Sequence, residues 1–214
     1  MPTYALDNSL WFPPVQEADG EGLLAMGGDL SVDRLLLAYK KGIFPWFEGD
    51  TPLWWSPNPR FVLFPNELVV SASMRSIIKK KAFQFTTNKA FPEVISACKN
   101  LKRKEQDGTW ITNDLEKSLI QLHELGFAHS AEAWQDKKLV GGLYGIKMGK
   151  VFFGESMFST VSNASKFALI TFVEELKKEG IQIIDCQVYT AHLESLGAKM
   201  IPREPFIALI NQLI

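Results

Sequence analysis

The stretch FAHSAEAWQDKKLVGGLYGIKMGKVFFGESMF, residues 127–158, decides the fold. Two short polar breaks, Asp136-Lys137-Lys138 and Met148-Gly149-Lys150, divide it into three β-rich runs: Phe127–Trp134, Leu139–Ile146 and Val151–Phe158. Breaks of this length join antiparallel neighbours, whereas a parallel return needs a dozen residues or more. The spacing therefore predicts a three-stranded antiparallel meander. Gly141, Gly142 and Gly145 lie inside its middle run. Glycine weakens a strand interior, so these three point to close approach by a ligand or by another piece of backbone.

Regular elements flank the meander on both sides. Upstream, Ala82–Thr86 reads as a short strand, and Phe91, Val94, Ile95 and Cys98 form a helical stripe. A second helix is expected to start at Asn113, with Glu116 as its capping partner and Leu115, Leu119 and Leu122 on its buried side. Downstream, Asn163 opens a long helix carrying Leu169, Phe172, Val173 and Leu176 on one face, and Gly180 closes it. A buried strand over Ile181–Gln187, a short helix over Ala191–Leu196, a strand over Lys199–Pro202 and a last helix to Ile214 complete the reading. The order from residue 82 is strand, helix, helix, three strands, helix, strand, helix, strand. That is the order of the GCN5-related acyltransferase fold, and fold by itself does not fix function.

The first sixty residues differ in character. They hold seven of the eleven prolines, together with Trp11, Trp46, Trp54 and Trp55. One helix is clear there: Ser31 suits an N-cap, Leu35, Leu36 and Tyr39 form an apolar stripe, and Gly42 suits the position past the C-cap. The expected class is α+β, with a small loop-rich N-terminal domain over 1–61 and an acyltransferase-like domain over 62–214.

Composition narrows the function classes. The chain has 214 residues, 46% hydrophobic and 22% charged, as in globular proteins that bury a core. Cys98 and Cys186 make no disulfide framework, which suits a cytoplasmic protein. No apolar run is long enough to span a bilayer, and the N-terminus lacks a basic leader. The formal net charge of -1 leaves nucleic-acid contact to local patches. The candidates are Arg75 with Lys79, Lys80 and Lys81, and Lys99 with Lys102, Arg103 and Lys104; solvated surface is the plainer reading of both.

Several site types are excluded. There is no P-loop, and His123, His129 and His192 are not spaced as metal ligands, so no metal is expected. Gly154-Glu155-Ser156-Met157-Phe158 begins like a nucleophile elbow and ends on Phe, without the sharp strand-to-helix turn that motif needs. Asp185 and Gln187 stand two apart on a strand and are expected to share a face, as do Glu155 and Met157. A polar pair ending a buried run is either a structural hydrogen-bonding unit or a working site. Trp46, Trp54, Trp55 and Trp110 are either core or a stacking platform for a base.

The ordered motifs GLLAMGGDLS (22–31), GIFPWF (42–47), WWSPNPR (54–60), GTWIT (108–112), AHSAEAW (128–134), LVGGLYG (139–145), FFGESMFS (152–159), NASKFAL (163–169), IDCQ (184–187) and HLESLGA (192–198) resemble the leucyl/phenylalanyl-tRNA–protein transferase family. The resemblance implies transfer of Leu or Phe, and Met less well, from the 3′ end of aminoacyl-tRNA to proteins beginning with Arg or Lys. Such transfer marks its acceptors for N-degron degradation. It implies no cofactor. It places Trp46 and Trp110 at the terminal adenosine, counts Tyr39 among the substrate-binding residues, and maps the apolar side-chain pocket to Leu143, Phe152, Met157, Leu169, Phe172, Leu176 and Ile184. It implies catalytic roles for Asp185, Gln187 and Glu155. Leu119 and Leu143 depart from it, standing where relatives often carry Tyr and Met. Strict alternation sets Phe152 opposite Glu155, so a pocket role for Phe152 requires a bulge near Gly154.

The implied reaction converts an ester to an amide and is downhill. The attacking α-amine has a reference pKa of ~7.7–8.0, so a modest base suffices near neutrality. Asp185, directly or through Gln187, is expected to take the amine proton. Gln187 positions the amine, and Glu155 either attracts the basic N-terminal residue or braces Gln187. Two rivals are an acyl-CoA enzyme, whose pyrophosphate loop is absent after Val151–Phe158, and a non-catalytic binder of RNA ends or basic peptides.

Overall fold

A computed structural model describes residues 3–101 and 111–214. Chain order is β1 (Tyr4–Leu6), β2 (Leu23–Gly27), α1 (Val32–Lys40), β3 (Phe44–Pro45), β4 (Leu53–Trp55), β5 (Arg60–Leu63), α2 (Ala72–Lys79), β6 (Gln84–Thr87), α3 (Phe91–Lys99) and α4 (Asn113–Glu124). Then come β7 (Ala128–Gln135), β8 (Lys138–Met148), β9 (Val151–Ser159), α5 (Ala164–Lys178), β10 (Ile183–Gln187), α6 (Ala191–Glu194), β11 (Lys199–Ile201) and α7 (Arg203–Leu213).

The meander is present. β7 pairs antiparallel with β8, and β8 with β9. Asp136 and Lys137 turn the first hairpin with both φ angles positive, at 51° and 61°, the backbone a two-residue type I′ turn requires. Gly149 does the same in the second, at φ 54°. The full sheet has seven strands in the order β11-β5-β10-β9-β8-β7-β6. Only β9 and β10 run parallel, joined by α5 as the crossover.

Sequence reading missed β5. It inserts between β10 and β11 and pairs antiparallel with both. Its Arg60-Phe61-Val62-Leu63 run is wholly buried and non-alternating, the pattern of a central strand covered on both faces. The N-terminal region is also more ordered than a loop-rich domain. It carries a four-stranded sheet, β1-β2-β4-β3, whose short strands sit among prolines and leave little periodicity to read. The cap of α4 is Thr112, whose side chain accepts from Leu115 N–H, one residue before the expected Asn113.

Both faces of the large sheet are covered. Gly141 faces α5: a β-carbon there would stand 2.7 Å from Ala164 Cβ. Gly142 faces the other way, where a β-carbon would meet Ala131 O at 2.7 Å, with Val94 of α3 next to it. The core is correspondingly split: α2 and α5 cover one face, while α1, α3, α4 and the N-terminal sheet pack into the other. The strand glycines thus answer to neighbouring protein. Gly145 is the tightest, with Phe153 O only 2.1 Å from where its β-carbon would lie. Gly145→Ala is expected to destabilise the protein by at least ~1–3 kcal/mol, the usual cost of overpacking, read as a lower urea midpoint at unchanged m-value.

Candidate functional site

β9 and β10 stop pairing after Phe153 and Asp185, and both backbones depart from regular geometry at once. On β9, Tyr144↔Ser156 is followed by Gly145↔Gly154, which leaves Glu155 as the extra residue of a bulge. On β10, Asp185↔Val62 is followed by Gln187↔Phe61, so Cys186 is the extra residue. Gln187 itself sits at φ 65°, a left-handed conformation that costs a non-glycine residue on the order of 1 kcal/mol or more. The strands part where they bulge, and a cavity of about 410 Å³ opens between them and the first turns of α5 and α6.

The bulge at Glu155 shifts the alternation of β9, so Phe152, Glu155 and Met157 all reach the same cavity. Leu143, Phe152, Met157, Leu169 and Ile184 make its apolar wall, while Glu155, Gln187, Thr190 and His192 are among its polar residues. Phe172 and Leu176 do not line it. Phe172 stands behind the wall, its ring edge-on to Phe152 at 5.1 Å, and Leu176 is buried in the same core cluster. They are the continuation of the α5 apolar stripe into the sheet core, which helical spacing alone cannot separate from a cavity wall.

Asp185 and Gln187 do not share a face as expected, because the bulge at Cys186 intervenes. Gln187 lines the cavity, and Asp185 does not. Its carboxylate is fully buried and bidentate to Arg60, at 2.8 Å from Nε and 2.6 Å from Nη2. The same carboxylate accepts the Gln187 backbone N–H at 2.9 Å, which holds the left-handed turn. Arg60 is equally buried; its Nη1 donates to Gly42 O at 3.1 Å, and its guanidinium lies 4.7 Å from the ring centres of both Phe44 and Phe206. Arg60 was within a quoted motif, yet no residue spacing joins it to Asp185, 125 positions away.

Gln187 Nε2 donates to Glu155 Oε1 at 2.8 Å. Burial pushes the Glu155 carboxyl up to about 7, with the nearby Tyr39 hydroxyl and the Gln187 amide opposing the rise. Tyr39 does not reach the cavity. It is wholly buried with its ring on Phe153, and its hydroxyl, within electrostatic reach of Glu155, has no partner of hydrogen-bonding geometry. Burial and the nearby Glu155 charge raise its pKa well above the usual tyrosine value.

The tryptophans divide. Trp54 is core, its Nε1–H donated to Gly27 O at 2.9 Å. Trp46 is 41% exposed and tilted against Trp55 at 5.8 Å, away from the cavity wall but available at the surface. Trp110 lies outside the described residues, as do Lys102, Arg103 and Lys104. Lys99 is engaged by Asn113 and Glu116, whereas Arg75 within α2 and Lys79, Lys80 and Lys81 at and just beyond its end are exposed. Leu119 is fully buried in core rather than on the cavity wall.

Removing one partner of a buried ion pair leaves the other charge uncompensated, at a cost of ~3–5 kcal/mol. Arg60→Met should lower stability by that order in urea unfolding. Arg60→Met with Asp185→Leu should recover much of the loss, and additivity of the two changes would mean that the pair is not coupled.

Comparison with known proteins gives one consistent result. Residues 62–211 match the family model described as leucyl/phenylalanyl-tRNA protein transferase, and residues 28–58 match that of the N-terminal domain of the same family. A leucyl/phenylalanyl-tRNA–protein transferase of Flavobacterium johnsoniae is 59% identical over 97% of this chain and 99% of its own length. One from Syntrophus aciditrophicus is 55% identical over 99% of this chain and 89% of its own. Among solved structures, L-PGS of Bacillus licheniformis is similar over 73% of this chain and 65% of its own at 12% identity, with a TM-score of 0.47, too low to carry an argument.

Proposed function

The chain belongs to the leucyl/phenylalanyl-tRNA–protein transferase family, and from that premise we propose how its cavity performs aminoacyl transfer. The protein is an aminoacyltransferase: it moves an aminoacyl group from tRNA to a protein. The finer reading is that Leu or Phe, and Met less well, goes to the α-amine of proteins that begin with Arg or Lys, in the cytoplasm, as a mark for N-degron degradation. The fold reading is a GCN5-related acyltransferase arrangement over 62–214 with a separate unit over 1–61. The sheet order and the parting of the parallel β9–β10 pair support the first part of it.

The observation that carries the mechanism is the line Arg60–Asp185–Gln187–Glu155 ending in a cavity with one apolar wall. Leu143, Phe152, Met157, Leu169 and Ile184 take the Leu or Phe side chain. Such a wall separates side chains by only ~1–3 kcal/mol per methylene, which is why some use of Met follows. Gln187, on the cavity wall with one amide N–H given to Glu155, serves through its carbonyl oxygen as the acceptor for the acceptor protein's α-amine. Asp185, sealed behind Arg60, acts as a strut that fixes Gln187 rather than as the proton acceptor.

Glu155 takes the proton. Its carboxyl lies in the cavity with a pKa near 7, the range in which a general base works best at neutrality. The amine nitrogen bonds to the ester carbon, its proton passes to Glu155, and the ribose oxygen leaves with that proton. Holding amine and ester in line supplies much of the rate. Exposed Trp46 offers a face for the terminal adenine, and the basic end of α2 offers charge for the tRNA backbone.

Labelled Phe should pass from Phe-tRNA to a peptide beginning with Arg and not to one beginning with Ala. Transfer to neither would sink the substrate reading. The pH profile tests the base. Glu155 is protonated below about pH 7 and ionised above it, so the rate should rise through about 7 and again through the amine's own ionisation at ~8. In Glu155→Gln the lower limb should vanish while the amine limb stays. A lower limb that persists would return the proton to Asp185.

A further inference from the structure

A histidine on the cavity wall carries a buried polar atom that the steps above do not use. His192 lies on α6, five residues beyond Gln187 and on the same cavity wall. Its Nε2 is buried without a hydrogen-bond partner among the described residues. An orphaned buried ring nitrogen is costly and calls for an explanation such as a ligand or a catalytic duty. Tyr39 Oη, Ser56 Oγ and Thr171 Oγ1 also lack a partner among the described residues but are not on the cavity wall, whereas Tyr144, which is on it, is engaged.

Several neighbouring polar groups already have partners. The Gln187 amide is held by Glu155, the Cys186 thiol points to Ile184 O at 3.8 Å, and the Thr190 hydroxyl caps α6 by accepting Leu193 N–H at 3.2 Å. That cap, with Thr190 O receiving Glu194 N–H, sets α6 and therefore the imidazole, without occupying Nε2. The reaction needs a donor where charge develops, on the carbonyl oxygen of the ester as the amine adds.

Resting on the aminoacyl-transfer reading, we propose that His192 is a catalytic residue whose Nε2–H donates a hydrogen bond to the carbonyl oxygen of the reacting aminoacyl ester. When the amine nitrogen bonds to the ester carbon, the C=O electron pair moves onto that oxygen and the hydrogen bond from Nε2–H to it shortens. When the pair returns, the C–O bond to the ribose breaks and the ribose oxygen leaves with the proton that Glu155 took from the amine. His192 keeps its proton throughout. A donor of this kind works as a neutral imidazole. Burial and the nearby Lys166 charge both lower its pKa, so the neutral form prevails at pH 7.

The test compares wild type, His192→Phe and His192→Gln. It reads single-turnover Phe transfer from Phe-tRNA to an Arg-initial peptide, and binding of 3′-deoxy-3′-(phenylalanylamido)adenosine, whose amide is not cleaved. Removing an oxyanion donor costs about 100- to 1,000-fold in rate. His192→Phe should slow transfer by that factor while binding the analogue within about threefold of wild type. His192→Gln, which keeps an N–H at similar reach, should recover much of the rate. Wild-type transfer in His192→Phe overturns the proposal, as does an equal loss in both variants accompanied by weakened analogue binding. A measurement on unaltered protein stands beside these: the His192 Nε2–H resonance should move when the analogue binds, and a stationary resonance overturns the proposal even if a variant misfolds. Absence of transfer by wild type would overturn the transferase reading instead, while the resonance still decides whether His192 meets the carbonyl.

Discussion

A guanidinium and a carboxylate withdrawn from water between two aromatic rings organise this protein. Arg60 comes from a strand entered directly from the N-terminal unit; Asp185 comes from the strand on which Gln187 stands. Each charge is tolerable in the interior only because the other is present with good geometry. Arg60 also takes the carbonyl of Gly42, at the end of α1, and lies between Phe44 of the small sheet and Phe206 of α7. Two sheets and the last helix thus meet at one ion pair. The far side of that pair sets the backbone of Gln187.

The two carboxylates near the cavity are divided by environment. Asp185 is matched by a guanidinium and a backbone N–H, so its oxygens are occupied. Glu155 has only the amide of Gln187 and the vicinity of Tyr39, and burial lifts its carboxyl to about 7. In the proposed mechanism these unequal surroundings make one carboxylate a strut and the other the proton carrier.

The cavity itself is a product of irregularity. Two adjacent parallel strands each gain one residue immediately after their last shared hydrogen bonds. Bulges beside a site redirect side chains without altering the scaffold. Here they bring Phe152 and Glu155 to one wall, bring Gln187 to the same space, and leave Asp185 outside it.

The sequence by itself determined the meander, the order of elements from residue 82 onward and the helix stripes. These follow from short-range rules: turn length, alternation, 3.6-residue periodicity and strand glycines, all readable within a dozen residues. The residues of the apolar wall came from the family resemblance instead. The quoted motifs also determined the family, since so many in one order mark a common design. Tertiary structure decided which apolar residues on α5 meet the cavity, because Leu169 and Phe172 share a helical face and differ only in how far along the sheet they lie. It decided that β5 joins the large sheet and that Arg60 neutralises Asp185, a pairing across 125 positions with no local signature. It also decided the faces of Glu155, Asp185 and Gln187, because a single extra residue reverses the alternation from which a face is inferred, and sequence spacing does not count bulges.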